Sequence, residues 1–336
     1  MGDQRPILPR RSFARLLTGL PIALTAAARP GAAQGALWTV ATEYPANTVS
    51  GDGIAFFAER LAAESAHRLT VLPSYDAAFG LKSADIPGAI RDGRLAAGCS
   101  FGGALGGIDP LFLLSSLPFV ATREDEARTL LQKALPLYTK RFAREGQRLL
   151  YATPWPPSGL WARKPIIRPS DLMALRLRVY DATGVEVFAA ARANPVNLSF
   201  AEAGPQIASG AVQAVLSSGD GGAGRKLWEH LPYFTEIGYA MPLSFATLAA
   251  PLYERLPEAL KDAVDRAAQA TQAQAWQRLA ARLGENDARM KANGVTITTI
   301  DKVTPELHGL LAKAASGAVE KWKRDAGAEA AALLGK

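Results

Sequence analysis

The sequence predicts an α/β chain of two lobes, and three observations carry that expectation. The order strand, helix, strand, helix, strand occurs twice, within residues 38–100 and again within 175–216. A Pro- and Trp-rich break, Thr153-Pro154-Trp155-Pro156-Pro157, separates the two runs and marks a crossing between lobes. An almost unbroken helical stretch, Leu252 to Asn293, is too long for one compact lobe and suits a helix spanning both. With 49% apolar residues in 336, the chain has enough material for the core that such a fold needs.

The elements follow in order from their periodicities. Trp38 to Thr42 reads as a short strand ended by Tyr44-Pro45. From Asp52 to Ala66, Ile54, Phe57, Ala58, Leu61 and Ala62 recur at helical spacing, with Glu59, Arg60 and Glu64 on the other face. Arg68 to Pro73 is a second strand, Asp85 to Asp92 a short helix, and Arg94 to Ser100 a strand apolar throughout, as a buried parallel strand is. Glu124 to Glu145 is a long amphipathic helix, and Leu149 to Ala152 a strand leading into the break. Beyond it come a turn at Ser170-Asp171-Leu172, a strand at Leu175–Val179, a helix at Gly184–Ala193, a strand at Pro195–Leu198, a helix at Ala201–Ser209 and a strand at Val212–Leu216. The resulting expectation is lobe I at 36–154 plus 246–283 and lobe II at 155–245 plus 284–325.

Ahead of these elements, Arg10-Arg11-Ser12-Phe13-Ala14-Arg15 precedes the apolar run Leu16 to Ala28 and the small residues Gly31-Ala32-Ala33. That is the pattern of a twin-arginine export signal over residues 1–33, and it predicts a periplasmic protein. The apolar run, about 13 residues, falls short of the roughly 20 a membrane-spanning helix needs. The net charge of the whole chain is +7, of which this segment holds +4, so the remainder carries only +3. No basic cluster or basic-aromatic stripe lies in that remainder, which argues against a nucleic-acid partner; mild basicity suits a protein that meets anions.

Catalytic and metal chemistry find little footing. His67, His230 and His308 are far apart and lack paired spacing, and the single cysteine, Cys99, lies in an apolar stretch and has no partner for an internal disulfide. Neither Ser115-Ser116 nor Ser217-Ser218 has the G-x-S-x-G context of a nucleophile. Glu124, Asp125 and Glu126, with Arg123 and Arg128 beside them, read as a solvated helix face. Gly219-Asp220-Gly221-Gly222-Ala223-Gly224 matches G-x-G-x-x-G, but His230-Leu231-Pro232 ends any following helix too soon for a dinucleotide unit. The run is therefore expected to be a flexible strand-to-helix loop whose backbone can approach a small ligand. No enzyme activity, cofactor or metal is expected.

Leu175-Arg176-Leu177-Arg178-Val179 is more informative. Strand alternation puts the two arginines on one face, where they need water or anionic partners, and a guanidinium is shaped to grip a carboxylate through two parallel bonds. At this point a resemblance enters. Phe56-Phe57-Ala58-Glu59-Arg60-Leu61 before Arg68-Leu69-Thr70-Val71, and Leu117-Pro118-Phe119 before the long helix, are two of its carriers. Pro165 to Leu172 leading into Leu175–Val179, and Trp228 to Thr235 with Tyr233-Phe234-Thr235, are the others. Residues 37 to about 320 thus resemble the solute-receptor subunit of tripartite ATP-independent periplasmic (TRAP) transporters, the DctP-like family.

The resemblance implies a bilobed periplasmic-binding-protein-like fold and a monomer that captures an organic acid and delivers it to a TRAP membrane permease. It singles out Arg178 over Arg176 as the carboxylate clamp. Ser217 stands where the family often has an asparagine, so the dicarboxylate preference of its best-known members does not carry over. Trp155 and Trp161, flanking the crossing, suggest an aromatic wall, and Arg163 is a further candidate cation. Together these point to a monocarboxylate with an apolar or aromatic body, or a 2-oxo or 2-hydroxy acid. An exported α/β enzyme acting on a small acid, and a receptor signalling to a membrane sensor, are the alternatives. Replacing Arg10-Arg11 by Lys-Lys is expected to trap the precursor inside the cell; cell fractionation showing unchanged export would overturn the twin-arginine assignment.

Overall fold

The computed structural model describes residues 36–335, so the export-signal expectation lies outside the described residues. The chain runs through β1 (Ala36–Thr42), α1 (Val49–Glu64), β2 (Leu69–Ser74), α2 (Ile86–Arg91) and β3 (Ala97–Phe101). Two 3-10 turns, Gly102–Leu105 and Pro110–Ser116, lead to α3 (Glu124–Arg144) and β4 (Gln147–Pro154). Then come β5 (Ser158–Ala162), α4 (Pro169–Leu172), β6 (Arg176–Val179), α5 (Ala182–Ala190), β7 (Asn194–Asn197), α6 (Phe200–Ala208), β8 (Ala214–Ser218), α7 (Gly219–Gly224) and β9 (Tyr233–Thr235). The chain closes with β10 (Leu243–Ala249), α8 (Ala250–Glu254), α9 (Glu258–Ala292), β11 (Thr296–Thr298) and α10 (Pro305–Ala331).

These strands form two sheets, ordered β2-β1-β3-β10-β4 and β11-β9-β5-β8-β6-β7. In the first, β1 runs parallel to β2 and β3, and β10 lies antiparallel between β3 and β4. In the second, β6 runs parallel to β7 and β8, while β5 is antiparallel to β8 and β9. The chain crosses from one sheet to the other at Trp155–Pro157, after β4, and returns between β9 and β10. Each lobe is thus a βαβαβ unit, completed by a strand that enters antiparallel from a crossing. This is the α/β, bilobed architecture that the repeated element order predicts.

Two expectations need correction. The helical stretch from Leu252 is broken at Arg255-Leu256-Pro257, and the long helix α9 begins only at Glu258. Pro257 is its N-cap; the ring offers no N–H to a helix continuing through it. The Gly219–Gly224 run is not a flexible loop but the short helix α7, whose Ser218 cap accepts a bond from Gly221 N at 3.1 Å. Gly222 lies directly against the Trp161 indole, leaving no room for a Cβ.

With 35 residues, α9 is about 50 Å long, and it packs on α1 and β4 of one lobe and on α7 and β11 of the other. Leu260, Val264 and Ala267 are buried with the first sheet's apolar core, whereas Met290 joins the core of the second. α10 also reaches both: Leu307 and Leu311 enter the second core, and Trp322 donates its indole N–H to Pro110 O at 2.7 Å. Among the described residues, no helix is long and apolar enough to cross a membrane.

A charged knot ties the lobes where α9 passes between them. Asp220 of α7 is fully buried; its carboxylate accepts from Arg282 Nε at 2.5 Å, Asn286 Nδ2 at 3.0 Å and the Val49 amide of α1 at 2.9 Å. Arg282 also donates to Asn47 O at 2.6 Å and pairs with Asp52. Removing one member of a buried pair strands the other's charge. Arg282→Ala is therefore expected to lower stability in urea denaturation by about 3 kcal/mol or more. Asp52→Ala, at a half-exposed position, should cost about 1 kcal/mol or less. Equal losses would show that Asp220 does not depend on Arg282.

Candidate functional site

β6, β7 and β8 run parallel, and their carboxyl ends open toward the crossing, where ligands of open α/β sheets bind. Arg178 is the third of the four residues of β6 and is 2% exposed, whereas Arg176, at the strand's start, is exposed. Arg178 Nε donates to Leu198 O at 2.8 Å and Nη1 to Leu216 O at 3.2 Å, and its guanidinium lies 4.2 Å from the Phe200 ring centroid. Two of its five N–H donors are thereby fixed, and the remainder are left for a partner.

No Asp or Glu among the described residues forms an ion pair with it, while its nearest basic neighbour, Arg225, is turned to Glu43 O and Asp76. Burial pulls the Arg178 pKa below its ordinary value, against the opposing influence of Tyr44, Glu43 and Tyr180. A buried guanidinium without a counter-ion calls for an anion.

Two cavities meet at this arginine. The inner one, about 20 Å³ and large enough for about one water, is walled by Tyr44, Phe101, Trp155, Tyr180, Phe200 and Ser217. The outer one, about 440 Å³, shares Tyr44, Phe101, Arg178 and Tyr180 and extends toward Lys82, Asn197 and Glu202. Tyr44 and Trp155 pack with ring centroids 4.7 Å apart, and Phe101 and Tyr180 with centroids 5.1 Å apart. Trp155 is held by its N–H to Ser244 Oγ at 2.9 Å, and Tyr180 by its hydroxyl bond to Ser158 Oγ at 3.2 Å. One lobe supplies Tyr44 and Phe101; the other supplies Arg178, Tyr180, Phe200 and Ser217.

Of the residues singled out from sequence, Arg178, Ser217 and Trp155 converge on this space. Trp161 and Arg163 do not. Trp161 is fully buried in the second lobe's core, donating to Ser218 O at 3.2 Å and packing on Phe234. The cause is strand alternation: Ser158 faces the cavity, so Trp161, three residues on, points to the opposite face. Arg163 is exposed just past the end of β5, with its guanidinium against Gly210. Sequence alone does not mark Phe101, Tyr180, Phe200 or Asp181 as site residues, and it marks Tyr44 only as the end of the first strand; the five come together from chain segments far apart in sequence. Among the described residues, no three His, Cys, Asp or Glu side chains converge as metal ligands would.

Asp181 is 1% exposed and joins the lobes beside Arg178. One oxygen caps α5 through Gly184 N at 2.7 Å, and the other accepts from Ser116 Oγ of the opposite lobe at 2.6 Å. Burial outweighs these bonds and raises its pKa to about 6.

The family model described as bacterial extracellular solute-binding protein, family 7 (DctP) matches residues 40–315, and the chain belongs to that family. The structure is similar to that of DctP7, a Bordetella pertussis extracytoplasmic solute receptor binding pyroglutamic acid. The TM-score is 0.84 at 27% identity, over 89% of this chain and 98% of that one. DctP6 of the same organism, also described as binding pyroglutamic acid, gives 0.83 at 25% identity over the same shares. A marine-metagenome TRAP solute-binding protein complexed with pyroglutamate shares the fold, with a TM-score of 0.84 at 24% identity over 90% of this chain and 98% of that one. No curated protein sequence matches the chain.

The raised Asp181 pKa has a defined consequence for stability. The folded protein keeps this proton up to pH about 6, whereas the unfolded chain releases it near the ordinary aspartate value. The associated stabilisation is complete below about pH 4 and is lost as pH rises through 6, by a few kcal/mol at most. Asp181→Asn should flatten that part of the profile in urea titrations from pH 4 to 7. An unchanged slope would assign the dependence to other groups.

Proposed function

We propose that this family member is a periplasmic receptor that closes its lobes on a small monocarboxylate gripped by Arg178 and hands it to a TRAP membrane permease. The observation that carries the reading is Arg178 itself: buried, paired with no carboxylate among the described residues, and open on one edge to a space between the lobes. A ligand carboxylate supplies the missing counter-charge through two parallel N–H···O bonds. Tyr44 and Phe101 belong to the other lobe, so a ligand touching both sides favours the closed form by its differential contacts. The inner cavity is too small in this conformation for an organic acid, and loading requires the lobes to part.

The ligand class follows from charge and shape. Other cations at the site are engaged: Lys82 by Glu202, and Arg225 by Glu43 O and Asp76. A second ligand carboxylate would meet aromatic walls without a counter-ion, at a cost of several kcal/mol. A small ring or short apolar body against Tyr44, Trp155 and Phe200 gains about 25 cal/mol per Å² instead. Pyroglutamic acid, the ligand named for the two Bordetella receptors, is a cyclic monocarboxylate of this kind. Ser217 contributes a hydroxyl to the cavity wall. Of the lobe boundaries expected from sequence, 36–154 plus 246–283 and 155–245 plus 284–325, we move one: all of β10, from Leu243, lies in the first sheet, so 243–283 goes with 36–154. Residues 1–33 form the export signal, and the receptor acts as a monomer. Members of the family are receptors, and the reading involves no catalysis.

Isothermal titration with pyroglutamate, 2-oxo and aromatic monocarboxylates, succinate and malate tests the assignment. A monocarboxylate should bind more tightly than either dicarboxylate. Arg178→Ala should weaken it by about 100-fold or more, equivalent to about 3 kcal/mol, and Arg178→Lys should recover little because the fork geometry is lost. Tighter binding of succinate or malate would refute the ligand class alone. Undiminished binding in Arg178→Ala would refute the clamp.

A further inference from the structure

A second cavity, about 610 Å³, lies where the crossings meet α9 and is distinct from the arginine site. Its walls come from the Pro156-Pro157 crossing, the return stretch Glu236–Gly238, the loop holding Phe119, and the α9 residues Leu283, Asp287 and Met290. Much of this lining is apolar. Leu283 and Ile300, 41% and 47% exposed, are among the few large hydrophobic side chains the described surface leaves in water, and both face this cavity. Phe119 sits on its edge with φ at +59°, a backbone strain rare for a bulky residue, held by its amide bond to Tyr239 O at 2.7 Å.

Carboxylates outnumber cations in the lining, where Arg123 is the one arginine or lysine. Glu236 and Asp287 both line the cavity, and neither forms an ion pair among the described residues. Three bases nearby have other partners: Arg282 pairs with Asp52 and Asp220, Arg123 with Asp125 and Glu126, and Lys302 with Asp301; Lys291 acts on Glu236 without forming an ion pair. His308, also in the lining, faces Ile300 O at 3.4 Å. Glu236 is half-buried, and its pKa is raised by burial first and then by Asp287 and Asp301; the Ile300 amide and Lys291 counter this only in part. Both carboxylates line one cavity beside an apolar wall that an aromatic ring could cover.

We propose that this hinge cavity is a second ligand site, one that takes an organic cation: a primary ammonium group held by Glu236 and Asp287, carried on an apolar or aromatic body packed against Phe119, Leu283, Met290 and Ile300. The ammonium relieves the repulsion between the carboxylates, and the body covers apolar surface otherwise exposed. Phe119 and Phe234 add aromatic side chains to the lining. The inference stands apart from the organic-acid assignment, because its charge preference is opposite and no lining residue except Ser158 is shared with the inner arginine cavity.

The probe is 2-phenylethylamine, compared with its uncharged analogue 2-phenylethanol by isothermal titration against the whole protein at pH 7.5. The amine should bind at least about tenfold more tightly than the alcohol. Glu236→Gln with Asp287→Asn should erase that preference while thermal unfolding stays close to wild type. Leu283→Trp, which fills the cavity from an exposed helix position, should abolish binding of both compounds and locates the site even if the double variant folds poorly. Equal binding of amine and alcohol, no binding of the amine up to about 10 mM, or a preference that survives Leu283→Trp would overturn the proposal.

Discussion

A guanidinium kept from water, with no counter-ion among the described residues, is the constraint around which this protein is arranged. Arg178 is fastened by two backbone carbonyls, so its position is set by the fold and does not depend on a ligand. The aromatic side chains around it lower the local polarity and raise the value of any anion that arrives. Residues of both lobes wall the space beside the group, so its burial depends on how the two lobes meet.

Closure has its own scaffolding, set back from the ligand. The Asp220–Arg282 knot and the Asp181–Ser116 bond each place a buried carboxylate of the second lobe against donors of the first or of the spanning helix. Any parting of the lobes would have to break these bonds, and the water that then reaches the freed charges offsets part of that loss. Arg225 works in the same direction, reaching from the end of α7 to the Glu43 carbonyl.

Much of this architecture was legible in the sequence because it is written in local periodicity. The alternation in Leu175–Val179 placed two arginines on one face, and the proline-rich break at residues 153–157 located the crossing. What escaped depended on partners distant in the chain. Nothing near Asp220 announces that Arg282, sixty-two residues on, will neutralise it, and nothing near Asp181 announces its bond to Ser116 of the opposite lobe. β9, β10 and β11 are short or enter antiparallel from a crossing, and their partners are remote. Trp161 was misplaced for a subtler reason: β5 begins at Ser158, and the parity of a strand decides which face an indole takes. Pro257 broke the long helix at a point where the apolar pattern ran on undisturbed.

The lone cysteine has a practical consequence. Cys99 is fully buried in β3, and burial raises its thiol pKa to about 12, so it presents almost no thiolate at neutral pH. A cysteine engineered on the surface would therefore be the one readily alkylated by a maleimide dye, with no need to remove the native thiol from the core. Placed in pairs across the cleft, such labels turn the receptor into an optical ruler for its own hinge, with the wild-type packing of the first lobe intact.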